Sequence, residues 1–364
     1  MSTPRTAATL ARRSSLGASL GLGEKLFAST EEKQFLDAID RGLEEVESGL
    51  VEQIGFSDAL ADATTRYLLD AGGKRIRPTL ALVTAQLGAG ATPEVIVAAQ
   101  AVELTHLASL YHDDVMDSAD TRRGVPSAQR VWGNSVAILS GDLLFARAAQ
   151  LVAELGIETV RLQSRTFERL CLGQLHETTG PEPGEDAVAH YLQVLADKTG
   201  SLIAASARSG VLHSGAPREY ADAVSLFGER VGIAFQLADD VLDLSSRPDQ
   251  TGKVPGTDLR AGVPTLPLIH LRRSAVTDAG SAALLARLEL AAAASPAEPG
   301  ADPGADAELA DAIAELREHP VTDQTVAEAR RWAALAVDAL EPLPRGPVRK
   351  ALSRFADAVV ERSS

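Results

Sequence analysis

The chain has 364 residues, of which 45% are hydrophobic and 23% charged, enough apolar material for a packed interior and too much for wholesale disorder. Fifty acidic residues against 35 basic ones leave a formal charge of −15, which argues against a general binder of nucleic acid or anionic membrane. The one cysteine, Cys171, can make neither an internal disulfide nor a thiolate metal site and is read as structural; a reducing, cytoplasmic setting fits.

Met1 to Gly23 carries Arg5, Arg12 and Arg13 and no acid. It reads as a flexible tail, with a targeting peptide as the alternative. No run of about 18 apolar residues follows, so no integral membrane segment is expected. Long stretches without Gly or Pro, and the absence of alternating strand patterns, point to an all-α fold. Ser29 followed by Glu32 has the form of a capping box. Gly72 and Gly73 fall where a helix starting near Ser57 should stop.

The clearest helix opens at Thr92 as N-cap, with Pro93 in the first turn and no further Gly or Pro until past Arg123. Its early residues, Val95 to Ala99, are apolar on nearly every side, which suits the middle of a bundle. A second buried helix is expected over about Ile233–Leu244. Thr178–Asp186 reads as a surface loop. Ala291–Asp306, rich in Ala, Pro, Gly and acids, reads as a flexible insertion. The expected organisation is a tail over 1–23 and one helical domain over 24–364.

One motif occurs twice. Asp113-Asp114-Val115-Met116-Asp117 and Asp239-Asp240-Val241-Leu242-Asp243 are both D-D-x-x-D. On a helix, Asp113 and Asp117 share a face, as do Asp239 and Asp243, with the middle aspartate about 100° away. Six carboxylates in apolar flanks need a counter-charge. All-oxygen donors favour Mg²⁺, with Mn²⁺ the alternative, and Mg²⁺ is ordinarily completed by substrate phosphate. Three basic groupings stand against the acidic background: Lys74, Arg75 and Arg77 in GGKRIRP; Arg122 and Arg123; and the single cations Lys198 and Lys253. Such cations match diphosphate oxygens. His106 lies two helical turns before Asp113 on the same face. No P-loop, nucleophile-elbow or zincin pattern is present.

GGKRIRP, HDDVMDSADTRRG, the KTG at Lys198, FQLADDVLD and the GK at Gly252-Lys253 occur in an order that resembles the trans-type polyprenyl diphosphate synthases, from about Gly23 to Leu271. That resemblance implies a single large helical bundle with a deep central cavity, the isoprenoid synthase type I fold, as a homodimer. It implies Mg²⁺ on Asp113, Asp117 and Asp239, with Asp243 assisting through water. Arg122, Lys198 and Lys253 would hold the diphosphate of an allylic substrate, and Thr199 and Gln236 would line the reacting region. Asp113, Asp117, Asp239 and Lys198 would thus be the catalytic set. Lys74, Arg77, His106 and Arg123 would bind isopentenyl diphosphate.

In the family, bulky residues just before the first acidic cluster stop elongation. Here Ala108 and Ser109 are small, with Leu104 and Thr105 one turn further, while Tyr111 lies on another side. A long-chain product of about six to ten isoprene units is therefore expected, serving a quinone side chain such as that of menaquinone. The rivals are a short-chain farnesyl or geranylgeranyl diphosphate synthase, a class I terpene cyclase, which leaves Lys74, Arg77 and His106 without a purpose, and a non-catalytic subunit, at odds with two intact acidic motifs.

Overall fold

The computed structural model describes residues 29–245, 256–260, 262–294 and 303–361. The all-α expectation holds. The described residues form helices α1 (Thr30–Gln53), α2 (Ala59–Asp70), α3 (Ile76–Ala85), α4 (Pro93–Met116), α5 (Ala128–Trp132), α6 (Asn134–Glu154), α7 (Ile157–Thr179), α8 (Ala187–Leu195), α9 (Ser201–His213) and α10 (Tyr220–Ser245). They continue with α11 (Thr257–Arg260), α12 (Leu266–Ser274), α13 (Ala279–Ala294), α14 (Pro303–Arg317), α15 (Pro320–Asp338) and α16 (Pro347–Glu361). A π-type turn, Ala196–Gly200, joins α8 to α9.

Contacts group the chain into two compact units. The first runs to Leu170 and adds Ser201–Glu229 and Val337–Ala358; the second takes Cys171–Gly200, Arg230–Ala336 and the residues from Val359.

Within the first unit, local chemistry sets the helix starts. The Ser29 hydroxyl accepts from the Glu32 amide at 3.2 Å and the Glu32 carboxylate accepts from the Ser29 amide at 3.1 Å, a complete capping box. Asp58 caps α2 through the Ala61 amide, one residue beyond Ser57. Thr92 caps α4 through the Val95 amide. The α4 helix is buried on most sides, packed by α3, α6 and α9. Gly210 of α9 is required by its approach to α3, since a Cβ there would lie 2.1 Å from the Ala81 carbonyl. The Thr84 hydroxyl seals the same contact by donating to the Ala207 carbonyl at 2.8 Å.

The α4 helix ends at Met116, short of the Arg123 that a Gly- and Pro-free run allowed. Ser118 turns left-handed (φ 51°), and the Ala119 amide donates back to the Asp114 carbonyl at 2.9 Å, a Schellman-type close. A hairpin not foreseen in the sequence follows, with strands β1 (Thr121–Arg122) and β2 (Val125–Pro126). Its two turn residues, Arg123 (φ 55°) and Gly124 (φ 79°), both take positive φ, as a type I′ turn demands.

The second unit holds two apolar cores. One gathers Leu244, Leu271, Leu288, Leu309 and Leu316; the other gathers Tyr191, Leu195, Ile233, Leu237 and Leu266. The α7 helix runs through Thr179, so the loop expected from Thr178 starts at Gly180 (φ 71°). The segment expected as an insertion over 291–306 is helical at both ends: Ala291 is buried in α13, and Asp306 in α14 pairs with Arg260 at 2.6 Å. Arg287 further ties α13 to Glu308 and Glu315 of α14. The expectations for 1–23 and for residues 295–302 lie outside the described residues. Among the described residues one helix, α6, is long and apolar enough to cross a membrane by length and composition, and part of its surface packs against α4.

Ser29→Ala removes one of the two reciprocal hydrogen bonds at the start of α1 and should lower unfolding free energy by about 1 kcal/mol. A urea titration with unchanged slope and a lower midpoint is the expected result.

Candidate functional site

The first unit assembles a cationic cluster around the start of α3 and the middle of α4. Gly72 (φ 94°) and Gly73 (φ 147°) open the turn, and Arg75 follows at φ 50°, a left-handed N-cap for α3. A non-glycine residue rarely rests there without anchoring. Arg75 has that anchoring. Its guanidinium pairs with Glu47 and, at 3.2 Å, with Glu103, and it also donates to the Gly72 carbonyl. Arg75 is 4% exposed and Glu103 2%.

Arg77, the second residue of α3, is half-buried, and its Nε is buried with no hydrogen-bond partner. Burial lowers its pKa to about 10, with Glu103 and Asp113 opposing and Arg123 adding to the shift. It remains a cation at neutral pH. Lys74 is exposed beside it. From the hairpin, Arg123 donates to the Leu68 carbonyl at 2.7 Å and to the Gly72 carbonyl, covering the negative end of α2. Those two bonds hold Arg123 in its left-handed turn position. Arg122 pairs with Asp114 at 2.6 Å.

His106 lies within the fields of these arginines. Burial first, then Arg77, Arg123, Arg75 and Arg122, hold its pKa well below the ordinary imidazole range. It is a neutral donor or acceptor. Lys74, Arg77, His106, Arg122, Arg123, Asp113 and Asp117, all singled out from the sequence, thus belong to one unit, and electrostatic coupling links Arg77, Arg122 and Arg123 to His106, and Asp113 to Arg77.

The aspartates of this motif divide. Asp113 is half-buried and Asp117, the C-cap of α4, is exposed. Asp114 is fully buried and raised in pKa by burial; one oxygen meets Arg122 and the other, Oδ2, has no partner.

The second unit repeats the division. Asp240 is buried, accepts from the Tyr191 hydroxyl at 2.8 Å and the Leu266 amide at 3.3 Å, and is pushed up to about 8 by burial. Asp239 is half-buried. Asp243 accepts from the Thr257 and Asp258 amides, both at 3.2 Å, so it caps α11. The counter-charge sought for all six aspartates is met inside the protein for Asp114 and by neutral hydrogen bonds for Asp240. Lys198 sits in the π-type turn, paired with Glu177. Thr199 and Gln236 are half-buried in this unit, and Lys253 lies outside the described residues.

Among the described residues no group of three or more His, Cys, Asp or Glu side chains is gathered to hold a metal ion. The donors nonetheless fit a hard cation that takes one or two carboxylates and completes its shell with phosphate and water. They are all oxygen, and one buried carboxylate oxygen, Oδ2 of Asp114, has no hydrogen-bond partner. Cys171 is exposed, contrary to the structural role expected, and burial pressure on its thiol raises the pKa, which disfavours the thiolate.

Sequence reading missed Arg75 as a buried anchor, and it missed Glu47, Glu103, Tyr191 and Glu177. Glu103 alone left a signal: a charge inside the apolar stretch Ala98–Leu110, one turn before His106.

The family model for polyprenyl synthetases matches residues 58–292, and the chain belongs to that family. It is 41% identical over 346 residues to a nonaprenyl diphosphate synthase of Mycobacterium tuberculosis, covering 95% of this chain and 97% of the relative. A solved decaprenyl diphosphate synthase from Rhodobacter capsulatus superposes with TM-score 0.78 at 31% identity, covering 92% of this chain and 99% of the other. A geranylgeranyl pyrophosphate synthase from Corynebacterium glutamicum, solved with calcium and isoprenyl diphosphate, superposes with TM-score 0.77 at 35% identity, covering 93% and 99%.

A histidine held neutral in the fold costs stability as pH falls, because the unfolded chain takes up the proton below about 6.5 and the folded one does not. His106 should therefore subtract stability from pH 7 toward pH 5, against the opposite contribution of Asp240, whose carboxyl is pushed up to about 8 and gains stability as pH falls, so His106→Gln should gain stability relative to the unmodified chain as pH is lowered. Urea midpoints of both proteins across this range test the point; parallel curves would contradict it.

Proposed function

We propose that the chain is a prenyltransferase that condenses isopentenyl diphosphate head-to-tail with an allylic diphosphate to give a long-chain all-trans polyprenyl diphosphate. The observation that carries this reading is the pairing of a cluster of arginines and a neutral histidine with carboxylates on one helix. Arg77, Arg123 and neutral His106 suit a second diphosphate bound without metal, a feature that a terpene cyclase does not need.

The residues divide the work. Lys74, Arg77 and Arg123 bind the isopentenyl diphosphate, and His106 adds a hydrogen bond without adding charge. Asp113, Asp117 and Asp239 would hold Mg²⁺, or Mn²⁺ in its place, with Asp243 assisting through water. When bound, the metal supplies counter-charge to the allylic diphosphate as it leaves. Arg122, Lys198 and Lys253 hold that same group, and Thr199 and Gln236 border the reacting carbon. The apolar flanks of α4 exclude water, so that the allylic cation meets the double bond of isopentenyl diphosphate before a hydroxide. Proton loss to the released diphosphate completes the step.

Product length follows from the face of α4 that leads back from Asp113. Ala108 and Ser109 put small side chains on it, with Ala108 itself fully buried. The Tyr111 hydroxyl is tied to the Thr64 carbonyl and the Leu68 amide of α2, which fits a structural role away from that face. Beyond them lies a small void lined by Ala98, Val102, Thr159, Leu162 and Ala205, among others. The likeness to nonaprenyl and decaprenyl synthases supports the same reading. A short-chain reading draws on the likeness to the geranylgeranyl synthase and on the hydrogen bond from Gln163 to the Thr105 hydroxyl, at 2.6 Å. A quinone side chain, as in menaquinone, is the use inferred for the product, in the cytoplasm. Ile138 (41% exposed) and Leu139 (61%) on the apolar α6 support association of two copies as a homodimer.

Purified protein with Mg²⁺, farnesyl diphosphate and isopentenyl diphosphate should yield products of about six to ten isoprene units by mass spectrometry, the range expected from the small side chains of Ala108 and Ser109. Termination at geranylgeranyl diphosphate would overturn the long-chain reading. Asp113→Ala should lower turnover at least about a hundredfold. Ser109→Phe should shorten the product while turnover of farnesyl diphosphate persists; an unchanged product length would remove the role assigned to that face.

A further inference from the structure

Glu103 is a buried carboxylate surrounded by guanidinium groups. Arg75 pairs with it directly at 3.2 Å, and Arg77 and Arg123 act on it electrostatically. Its own surroundings are closed: α4 is packed by α3 and α9, and Glu47 is the second carboxylate in the group. A buried carboxylate takes the best cation within reach, because leaving it unpaired is far more costly than leaving an exposed one so. Arg75 is well placed to be that cation. It is fixed by Glu47, by the Gly72 carbonyl and by its left-handed backbone, with its side chain 3% exposed. It has no access to a ligand. Arg77, by contrast, keeps a buried Nε with no partner in the protein.

We infer that Arg75 is a positioning residue that occupies Glu103 and thereby keeps Arg77 available for the homoallylic diphosphate. Without Arg75, Glu103 draws Arg77 to itself, and the pocket loses a phosphate-binding fork while its residue types, apart from position 75, are unchanged. The inference rests on the functional reading above for the identity of the anion. It extends that reading from the groups that touch the ligand to the charge balance that leaves one of them uncommitted.

The test uses four proteins: the full-length chain, Arg75→Met, Glu103→Gln and the double variant. Isopentenyl diphosphate binding is measured by calorimetry without divalent metal, and KM for both substrates is measured with Mg²⁺. Arg75→Met should weaken isopentenyl diphosphate about tenfold and leave the allylic KM within about twofold, as expected where one member of a buried pair is removed. Glu103→Gln, in which Arg75 keeps Glu47, should bind within about twofold of the unmodified chain. The double variant should recover to within about threefold of the unmodified chain, because no buried carboxylate remains to capture Arg77. A merely structural role predicts the opposite order, with the double variant the weakest and both substrates affected alike. Recovery absent in the double variant, or a tenfold loss in Glu103→Gln with its unfolding midpoint intact, would overturn the inference; the second holds even if Arg75→Met does not fold. Failure of the unmodified chain to bind or turn over isopentenyl diphosphate would overturn the functional reading itself.

Discussion

A helix buried on nearly every side has no inexpensive place for a charge, yet α4 carries Glu103, His106, Asp113 and Asp114. Each is accommodated differently. Glu103 is neutralised by an arginine from the preceding turn, His106 gives up its proton, Asp114 takes Arg122, and Asp113 is left half-buried where the helix approaches its end. Exposure does not rise steadily along the helix: Glu103 (2%) and Asp114 (0%) are buried, His106 and Asp113 are half-buried, and Asp117 is exposed at the C-cap. A single element therefore carries both a dry, cation-rich segment and a carboxylate end that reaches solvent. Its rigidity fixes the spacing between them.

The backbone around this helix is strained in a consistent way. Arg75 and Arg123 both adopt positive φ, and the guanidinium of each reaches the carbonyls that end α2. The Gly72 carbonyl accepts from both arginines. Asn or Gly would sit in these turns with less strain. Arginine is accepted because its side chain is held by carbonyls and carboxylates that would otherwise be underserved. The same contacts bring the turn before α3 and the hairpin after α4 into one cationic surface, although 48 positions separate the two arginines (123 − 75).

What could be read in advance was local. The caps at Ser29 and Thr92, the repeated acidic spacing, and the alignment of His106 with Asp113 all depend on residues within a turn or two of one another. The family motifs likewise marked Arg77, Arg122 and Arg123 as diphosphate ligands. The partners of Arg75 were out of reach, because Glu47 and Glu103 each lie 28 residues away, in opposite directions. The hairpin was obscured for a related reason: an Arg-Gly turn is a poor type I′ signal until the long-range bonds of Arg123 are known. The Ala- and Pro-rich stretch misled at its ends, where composition suggested a linker but Arg260 and Arg287 hold the flanking helices in place.

The two D-D-x-x-D motifs share more than spacing. In each, the middle aspartate is the buried one, turned to an internal partner: Arg122 for Asp114, Tyr191 and the Leu266 amide for Asp240. Helical geometry requires some such arrangement, since the second position points about 100° from the shared face of the first and fifth. The chemistry of the two anchors differs, however. Burial raises both carboxyls, but at Asp114 the Arg122 guanidinium opposes it with charge, whereas at Asp240 only the Tyr191 hydroxyl and the Leu266 amide oppose it and the pKa is pushed up to about 8. The first motif therefore presents its outer carboxylates next to a neutralised neighbour, while the second lowers its own negative charge by holding a proton. Both routes reduce repulsion among adjacent carboxylates before any cation arrives. That reduction lets a helix in apolar surroundings keep three aspartates within five residues.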